Sequence, residues 1–278
     1  MHVGLSLMTE PPFVAAAMPL LEAGEVEVVE WSFDTTWGSG PPAWLQGLLD
    51  HFGDNDRLLG HGVSWSMLSA EWTPRHQQWL DKLRVEVATN RYQHVSEHFG
   101  WMTAGRFSRG APMPLPYTPQ LVQMGQQRML KLKEAAGVPI GLELLALAFN
   151  RRDVLEQGRF LDDLLRPVDG FLLLDVHNLY CQLHNFRFEL SELLDSLPLQ
   201  RVRQIHVSGG SWDGQFRRDT HDHAVPDEVI AVLEGALQRC PNVRAVIFER
   251  LGDTLADPTT HEPFRADFRR IAEVVHGG

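Results

Sequence analysis

Residues 170–178 read Gly170-Phe171-Leu172-Leu173-Leu174-Asp175-Val176-His177-Asn178. Four successive apolar residues are typical of a strand covered on both faces, as the strands of a parallel sheet are. The run ends in a carboxylate, an imidazole and an amide, and side chains of these kinds bind metal ions. The stretch therefore predicts a buried parallel strand that delivers polar groups at its carboxyl end.

The same pattern recurs along the chain. Eight short apolar or alternating runs predict strands near residues 2–7, 26–32, 58–64, 92–98, 139–145, 169–176, 202–208 and 243–249. Helical segments separate them. The clearest runs from Thr118, which can cap a helix, to Ala136, and Gly137 can end it in the left-handed conformation. Another begins at Pro226. Eight βα repeats predict an α/β fold, the (β/α)8 TIM barrel, whose active sites lie at the carboxyl ends of the strands.

Closed α/β barrels commonly form one domain, so we expect a single domain over residues 1–278. Two long insertions, near 99–117 and 209–225, interrupt the alternation of strands and helices. Both follow strands on the expected catalytic side. Loops of this length are usually functional or disordered, and we expect these two to form the rim of a substrate channel.

Composition restricts the partners and the compartment. The net charge of -11 disfavours nucleic acid and anionic membrane surfaces as general partners. No apolar run approaches the roughly 20 residues of a membrane span. Two distant cysteines, Cys181 and Cys240, form no disulfide framework and indicate a reducing compartment. The first residues do not resemble a signal peptide, so we expect a cytoplasmic protein.

Metal-binding side chains stand at the ends of six predicted strands. They are His61, His98, Glu143, Asp175, His206 and Glu249. An ionised carboxylate within an aliphatic strand must be paired or bound to metal to offset its desolvation. For Glu249 the alternative is an ion pair with the adjacent Arg250. So many ligands predict two or three ions held close together.

The second insertion contains the densest group of such side chains, Asp219-Thr220-His221-Asp222-His223. Asp219 and His221 can reach one ion from an irregular loop. Taken alone, the segment is better explained as a polar surface loop. His206 shifts the balance, because a histidine at the end of an apolar strand otherwise lacks an evident partner.

Several neighbouring residues have roles that spacing leaves open. Asn178 is a candidate ligand with Asp175, and its alternative is a turn or helix cap. Glu97 is expected to orient His98. His177, His184 and His223 are supporting donors, ligands or surface residues. Oxygen and nitrogen ligands without thiolate fit iron, manganese or zinc.

Five segments of the chain resemble the signature motifs of one enzyme family. They are Gly60-His61-Gly62-Val63-Ser64, Val95-Ser96-Glu97-His98-Phe99-Gly100-Trp101, Leu174-Asp175-Val176-His177-Asn178-Leu179-Tyr180, Gln204-Ile205-His206-Val207, and residues 219–227. The family is the multinuclear non-haem iron-dependent oxidative enzymes, which include the methanobactin biosynthesis oxidase. The motifs occur in the family's order between residues 60 and 250.

This resemblance implies a xylose-isomerase-like TIM barrel that holds two or three iron ions, Fe2+ or Fe3+. The ligands it implies are His61, His98, Glu143, Asp175, Asn178, His206, Asp219, His221 and Glu249. It also implies a cysteine-containing ribosomal precursor peptide as substrate, dioxygen as co-substrate and a small partner protein that recognises the peptide. The substrate thiolate would bind iron, and dioxygen would remove hydrogen from the cysteine β-carbon.

The chain departs from the family pattern at three places. The family commonly has Asp at the position of Glu97, Asn at that of His177, and Asn-Pro where this chain has Leu144-Leu145. The first two changes preserve polarity, and the third is expected to remove a polar group from the rim of the site. These changes bear on the substrate and the reaction more than on the metal site.

Two other classes of function fit the same residues. A divalent-metal sugar isomerase or phosphoesterase on this barrel would use a similar set of histidine, glutamate and aspartate ligands. A non-catalytic, metal-binding partner protein is the second alternative. The near-complete ligand set disfavours it, because a scaffold has no need of open-site carboxylates.

Overall fold

A closed ring of parallel strands forms the centre of the molecule. The computed structural model describes residues 1–277, except for the side chains at positions 109 and 110. The described strands are β1 (His2–Leu7), β2 (Val28–Trp31), β3 (Leu58–Gly62), β4 (Val95–His98), β5 (Trp101–Ala104), β6 (Phe107–Met113), β7 (Ile140–Glu143), β8 (Phe171–Asp175), β9 (Val202–Val207) and β10 (Ala245–Phe248). The barrel order is β1-β2-β3-β4-β7-β8-β9-β10, and β10 pairs back to β1. The predicted (β/α)8 TIM barrel is confirmed.

Helices cover the outside of this ring. They are α1 (Pro11–Glu22), α2 (Ala43–Asp54), α3 (Pro74–Thr89), α4 (Pro119–Ala136), α5 (Arg151–Leu165), α6 (Val176–Phe186), α7 (Leu190–Ser196), α8 (Asp227–Leu237) and α9 (His261–Gly277). Short 3-10 turns occur at Phe33–Thr35, Arg166–Val168, Leu199–Arg201, Gly252–Leu255 and Pro258–Thr260.

The helix predicted between Thr118 and Gly137 has the expected ends. The Thr118 hydroxyl accepts a hydrogen bond from the Leu121 amide at 3.3 Å, and Gly137 adopts a φ of 65°. Pro226 stands directly before α8. Among the described helices, none combines the length and apolarity that crossing a membrane requires.

The inside of the barrel changes character along its axis. Alternate residues of a strand face the same side. Val28, Leu59, Ala245 and Ile247 form a small apolar cluster of their own, separate from the main core between strands and helices. Two residues further along three of these strands come Glu30, His61 and Glu249, all buried. An apolar floor thus supports a polar layer at the carboxyl ends of the strands.

The two insertions differ in structure. The insertion near 99–117 contains an antiparallel hairpin, β5 and β6, where the sequence had suggested a Gly- and Pro-rich loop. Gly105 makes its turn with a φ of 56°, a conformation that favours glycine. The insertion near 209–225 is irregular apart from one bridge between Trp212 and Arg217.

Candidate metal centre

Strand register brings the predicted ligands to one level of the barrel. His98 on β4 is the direct neighbour of Glu143 on β7, and Asp175 on β8 is the neighbour of His206 on β9. Parallel strands keep such neighbours about 5 Å apart. The carboxyl ends of the ring therefore converge on a single polar cluster.

Glu143 lies at the centre of the strand-borne ligands. Its Oε2 atom is 3.3 Å from Nε2 of His61 and 3.3 Å from Nε2 of His98. Its Oε1 atom is 3.9 Å from Nδ1 of His206. That His206 nitrogen is also 3.1 Å from Oε2 of Glu249. The two carboxylates thus link three imidazoles.

The loop after β9 closes the cluster from one side. Oδ1 of Asp219 is 2.6 Å from Nε2 of His221, and Nδ1 of His221 is 3.7 Å from Oε2 of Glu249. His221 has a φ of 51°, an uncommon backbone conformation for a residue other than glycine. Asp219 and His221 therefore meet the strand-borne ligands, as the D-x-H pattern suggested.

The donor atoms have the arrangement that bound cations require. Four overlapping groups have donor atoms within 4.8 Å of one another: His61, His98 and Glu143; Glu143, Asp175 and His206; Asp175, His221 and Glu249; and Glu30, His206 and Glu249. Several buried atoms of these groups and of Asn178 lack a hydrogen-bond partner among the described residues. They include Glu143 Oε2, Asp175 Oδ2, Asn178 Oδ1, His206 Nδ1, His221 Nε2 and Glu249 Oε2. Such groups are costly to bury unless a cation binds them, so the residues fit a metal cluster.

Asp175 and Asn178 each use one side-chain atom in a hydrogen bond within the fold and leave one oxygen available to a metal ion. Oδ1 of Asp175 accepts the Asn178 amide at 2.7 Å and so caps α6. The Asn178 side-chain amide nitrogen donates to the Leu144 carbonyl at 3.0 Å. Each residue keeps one oxygen free, so capping and metal binding are compatible for this pair.

Burial and neighbouring charge shift the acidity of the cluster. Burial raises the pKa of Glu143 to about 8 and that of Asp175 to about 6. Burial lowers the pKa of His61 to about 3. Burial also opposes ionisation of Glu249, but the His206 and His221 imidazoles outweigh it and lower the pKa of Glu249 to about 2. Glu249 therefore supplies a permanent negative charge at neutral pH.

Neighbouring polar groups orient the ligands. Nδ1 of His61 is 2.8 Å from the Ser96 hydroxyl, which also donates to the Gly60 carbonyl at 3.3 Å. Glu97 lies beside His98, with 3.6 Å between Oε2 and Nδ1, and accepts the Trp65 amide at 2.7 Å. Glu97 thus occupies the position expected of an orienting carboxylate.

The three remaining histidines occupy different places. His177 is buried, and its Nδ1 lies 3.4 Å from Oδ1 of Asp219. His184 is exposed and packs edge-on against Trp212, with 4.8 Å between ring centroids. His223 is exposed and pairs with Asp222 at 2.6 Å. Among the contacts described for these three histidines, only that of His177 involves a predicted ligand, Asp219.

Two further sequence-based alternatives can now be compared with the structure. Arg250 donates to the Thr254 hydroxyl at 2.8 Å, whereas Glu249 faces His206 and His221, so the Arg250 ion pair does not explain Glu249. Leu144 and Leu145 are buried in the core. The loss of a polar group from the rim, expected from the family pattern, stays a prediction.

Sequence reasoning missed Glu30 on β2. Its side chain is 0% exposed, and its Oε2 lies 3.1 Å from Nε2 of His206. A carboxylate within an aliphatic strand was the signal used for Glu143 and Glu249. At Glu30 this signal was obscured, because Glu25 and Glu27 precede it in an alternating run. Such a run predicts a half-exposed strand.

The cluster opens into a cavity of about 590 Å³ at the barrel mouth. Its walls come from the loops after β1, β2, β9 and β10 and from the β5–β6 hairpin. They include Met8, Ser32, Thr35, Pro112, Thr220 and Leu251. Both insertions thus border the mouth, and the cavity is large enough for a ligand of several residues.

Together, the fold and the site define a xylose-isomerase-like TIM barrel with a buried cluster of imidazoles and carboxylates that is compatible with metal binding. The family model for RiPP precursor modification enzymes MbnB/TglH/ChrH matches residues 21–273, and the chain belongs to that family. The resemblance drawn from the motifs is thereby confirmed.

Relatives and solved structures agree with this assignment. A UPF0276 protein of Caulobacter vibrioides is 30% identical over 252 residues, covering 88% of this chain and 86% of the relative. Another, of Acaryochloris marina, is 33% identical over 189 residues, 67% of each chain.

The D-allulose 3-epimerase of a Methylomonas species superposes with a TM-score of 0.61 at 17% identity, covering 99% and 96% of the two chains. The IOLI protein, whose structure has a zinc atom bound, gives 0.63 at 11%, covering 99% and 98%. At these identities the structures show a shared fold.

Proposed function

We propose that this protein is an iron-dependent oxidase or oxygenase that uses dioxygen to modify cysteine residues of a ribosomally synthesised peptide. The observation that carries the proposal is the set of overlapping donor groups at the barrel mouth, which contains oxygen and nitrogen atoms and no thiolate. Membership of a peptide-modifying family supports a peptide substrate. A cysteine of that peptide would supply the sulfur ligand that the chain itself does not provide.

The donor groups assign the ligands to neighbouring ions. His61, His98 and Glu143 would hold one ion, and Asp175, His221 and Glu249 another. Glu143, Asp175 and His206 form a third group that shares residues with both. Asn178 and Asp219 would complete the set with their free oxygens. Bound iron would supply one-electron redox chemistry with dioxygen and a Lewis-acidic position for a thiolate.

The residues around the cluster would bind and orient the peptide. Ser32, Thr35 and Thr220 line the cavity. The Ser32 hydroxyl can bond the peptide backbone, whereas the hydroxyls of Thr35 and Thr220 already donate to the Ser32 carbonyl and to Asp222 and would only accept. Met8 and Leu251 offer apolar contacts on the same wall. His61 and Glu143 are almost fully buried and border the cavity, so a seated peptide would exclude water from them. A small partner protein that recognises the precursor peptide belongs to the same proposal.

Anaerobic reconstitution with Fe2+ tests the proposal. We expect two or three iron ions per chain, and oxygen consumption only when a cysteine-containing peptide encoded beside the gene is added. His206→Ala and Glu249→Ala should abolish both metal binding and oxygen consumption. His223→Ala is a matched control, because this exposed histidine lies outside the donor groups.

Two results would contradict the proposal. One is full activity with zinc after iron has been removed by a chelator. The other is turnover of a free sugar or a phosphoester without oxygen, which would establish the divalent-metal alternative. Stoichiometric metal without oxygen reactivity toward any neighbouring peptide would favour the non-catalytic partner instead.

A further inference from the structure

A buried carboxylate on β2 borders the candidate metal centre inside the barrel. Glu30 is 0% exposed and stands two residues beyond Val28, a member of the apolar cluster inside the barrel. An ionised carboxylate is costly to bury there unless charge or hydrogen bonds compensate it. Its compensation comes from β9, across the barrel.

Two side chains of β9 converge on the same oxygen of Glu30. Nε2 of Gln204 donates to Oε2 of Glu30 at 2.5 Å, and Nε2 of His206 lies 3.1 Å from it. The two nitrogens are 2.8 Å apart. An amide nitrogen is only a donor, so the shared acceptor at this junction is the carboxylate.

A third side chain fixes the orientation of the amide. Nε2 of His94 is 2.6 Å from Oε1 of Gln204. Since a carbonyl oxygen only accepts, this His94 nitrogen carries the proton, and the Gln204 amide nitrogen must face Glu30. His94, Gln204, Glu30 and His206 therefore form one buried chain of hydrogen bonds that ends at the metal centre.

We propose that Glu30 is a positioning residue: it holds the proton on Nε2 of His206 and so commits Nδ1 to the metal. Nδ1 lies 3.1 Å from Oε2 of Glu249 and 3.9 Å from Oε1 of Glu143. Without a proton, this nitrogen would face carboxylate oxygens with its lone pair, an arrangement that a bound cation stabilises. The inference rests on the proposed metal centre.

A competing role for Glu30 is direct metal binding, because its carboxylate also belongs to one donor group with His206 and Glu249. Oε2 already accepts two donors in the structure, which favours the positioning role. Oε1 lacks a hydrogen-bond partner among the described residues and keeps direct binding open to test. The two roles predict different metal stoichiometries.

The experiment compares the full-length wild-type protein with Glu30→Gln and Glu27→Gln. Glu27 is a matched control, because it precedes β2 and accepts the Val3 amide at 2.8 Å on the outside of the barrel. Anaerobic Fe2+ titration gives affinity and stoichiometry. Ring ¹⁵N NMR of histidine-labelled, zinc-loaded protein shows which nitrogen of His206 binds the metal, and His206→Asn assigns the signal.

For a positioning role, we expect Glu30→Gln to keep the wild-type number of ions but to weaken binding by about 10–100-fold. In the zinc-loaded wild type, His206 should bind through Nδ1 and carry a proton on Nε2. Glu27→Gln should match the wild type. Gln204→Met, which removes one donor to Glu30, should weaken binding in the same direction by a smaller factor. If Glu30→Gln does not fold, Gln204→Met still allows the Fe2+ affinity to be compared with that of the wild type.

Three outcomes would overturn the inference. Loss of one ion per chain in Glu30→Gln would make Glu30 a ligand. Binding of zinc through Nε2 of the wild-type His206 would exclude the positioning role. Wild-type affinity in both Glu30→Gln and Gln204→Met would show that the chain of hydrogen bonds is irrelevant to metal binding. If the wild type itself binds no iron, the proposed metal centre fails as well, so the two failures are distinguishable.

Discussion

The candidate metal centre has a strand-borne half and a loop-borne half. The strand-borne half comprises His61, His98, Glu143, Asp175, His206 and Glu249, and the loop-borne half comprises Asp219 and His221. Backbone pairing holds the first half, as at the neighbours His98 and Glu143. Side-chain contacts and one backbone hydrogen bond, from the Leu251 amide to the His221 carbonyl at 2.9 Å, hold the second half. Its two members are 27% and 21% exposed.

This difference shows two ways of assembling one site. Strand-borne ligands are preorganised by a ladder of hydrogen bonds that the whole barrel stabilises, and their partners are buried with them. Loop-borne ligands depend on a few contacts, such as that between His177 and Asp219. We therefore expect changes in the strand-borne half to affect every ion and changes in the loop-borne half to affect fewer.

The largest effect in this comparison is expected from Glu143→Ala, which should match His206→Ala and Glu249→Ala. The Glu143 carboxylate belongs to two donor groups, so its loss removes a ligand that two ions would share. Fe2+ affinity should fall by more than the roughly 100-fold that changes outside the ligand shell typically cost. Anaerobic titration measures this. Glu134→Ala, on the exposed face of α4, is the control, and near-normal iron content in Glu143→Ala would refute a central role for this carboxylate.

A more limited loss is expected from His221→Ala. This imidazole belongs to one donor group, with Asp175 and Glu249. The variant should lose one ion per chain and retain the ions held by the strand-borne half, as elemental analysis and titration would show. His223→Ala, in the same loop, should keep all of them. Complete metal loss in His221→Ala would mean that the two halves assemble only together.

A third effect concerns pH and arises from two groups of the strand-borne half, Glu143 and His98. Burial raises the pKa of Glu143 to about 8. Burial opposes ionisation of His98, but Glu143 and Glu97 outweigh it and raise the pKa of His98 to about 9. Both groups bind protons more tightly in the folded chain, so stability is lost as pH rises from about 6.5 to 8. Asp219 has a lowered pKa, so its contribution is lost only at acidic pH.

Thermal melts of EDTA-treated protein test this sign. Between pH 6.5 and 8, Tm should fall by roughly 5 °C, corresponding to about 2 kcal/mol for a chain of this size. Added Fe2+ should reduce this fall in Tm, because the metal ion takes the place of the protons on Glu143 and His98. Glu143→Gln should flatten the profile in the same range. A Tm that rises with pH in EDTA-treated wild type would contradict the assigned shifts.

The smallest effect is expected from His177→Asn, which introduces the residue common in the family. Asn can still donate to Asp219, so only the geometry of this contact changes. Metal affinity should fall by about 10-fold or less, at the low end for residues that orient ligands, with unchanged stoichiometry. Loss of an ion would instead make His177 a ligand and enlarge the loop-borne half.

The amino-acid sequence by itself determined the barrel and the strand-borne ligands. Each strand is a short apolar run, and a charged or imidazole side chain at its end needs a compensating partner, so local pattern identified both. The same reasoning reached Asp219 and His221 only with the support of His206, because an irregular loop has no period from which to read direction. The same reasoning did not identify Glu30, because Glu25 and Glu27 interrupt the apolar run that precedes it.

Tertiary structure alone decided which groups meet. The pairing of His98 with Glu143 depends on strand register, and the contact between Glu30 and His206 joins residues far apart in the chain. His177 is buried against Asp219 and His184 is exposed, and this difference depends on which face of α6 packs against the loop after β9. The hairpin within residues 99–117 was likewise not evident. Such contacts depend on packing between distant segments, and local sequence pattern does not encode it.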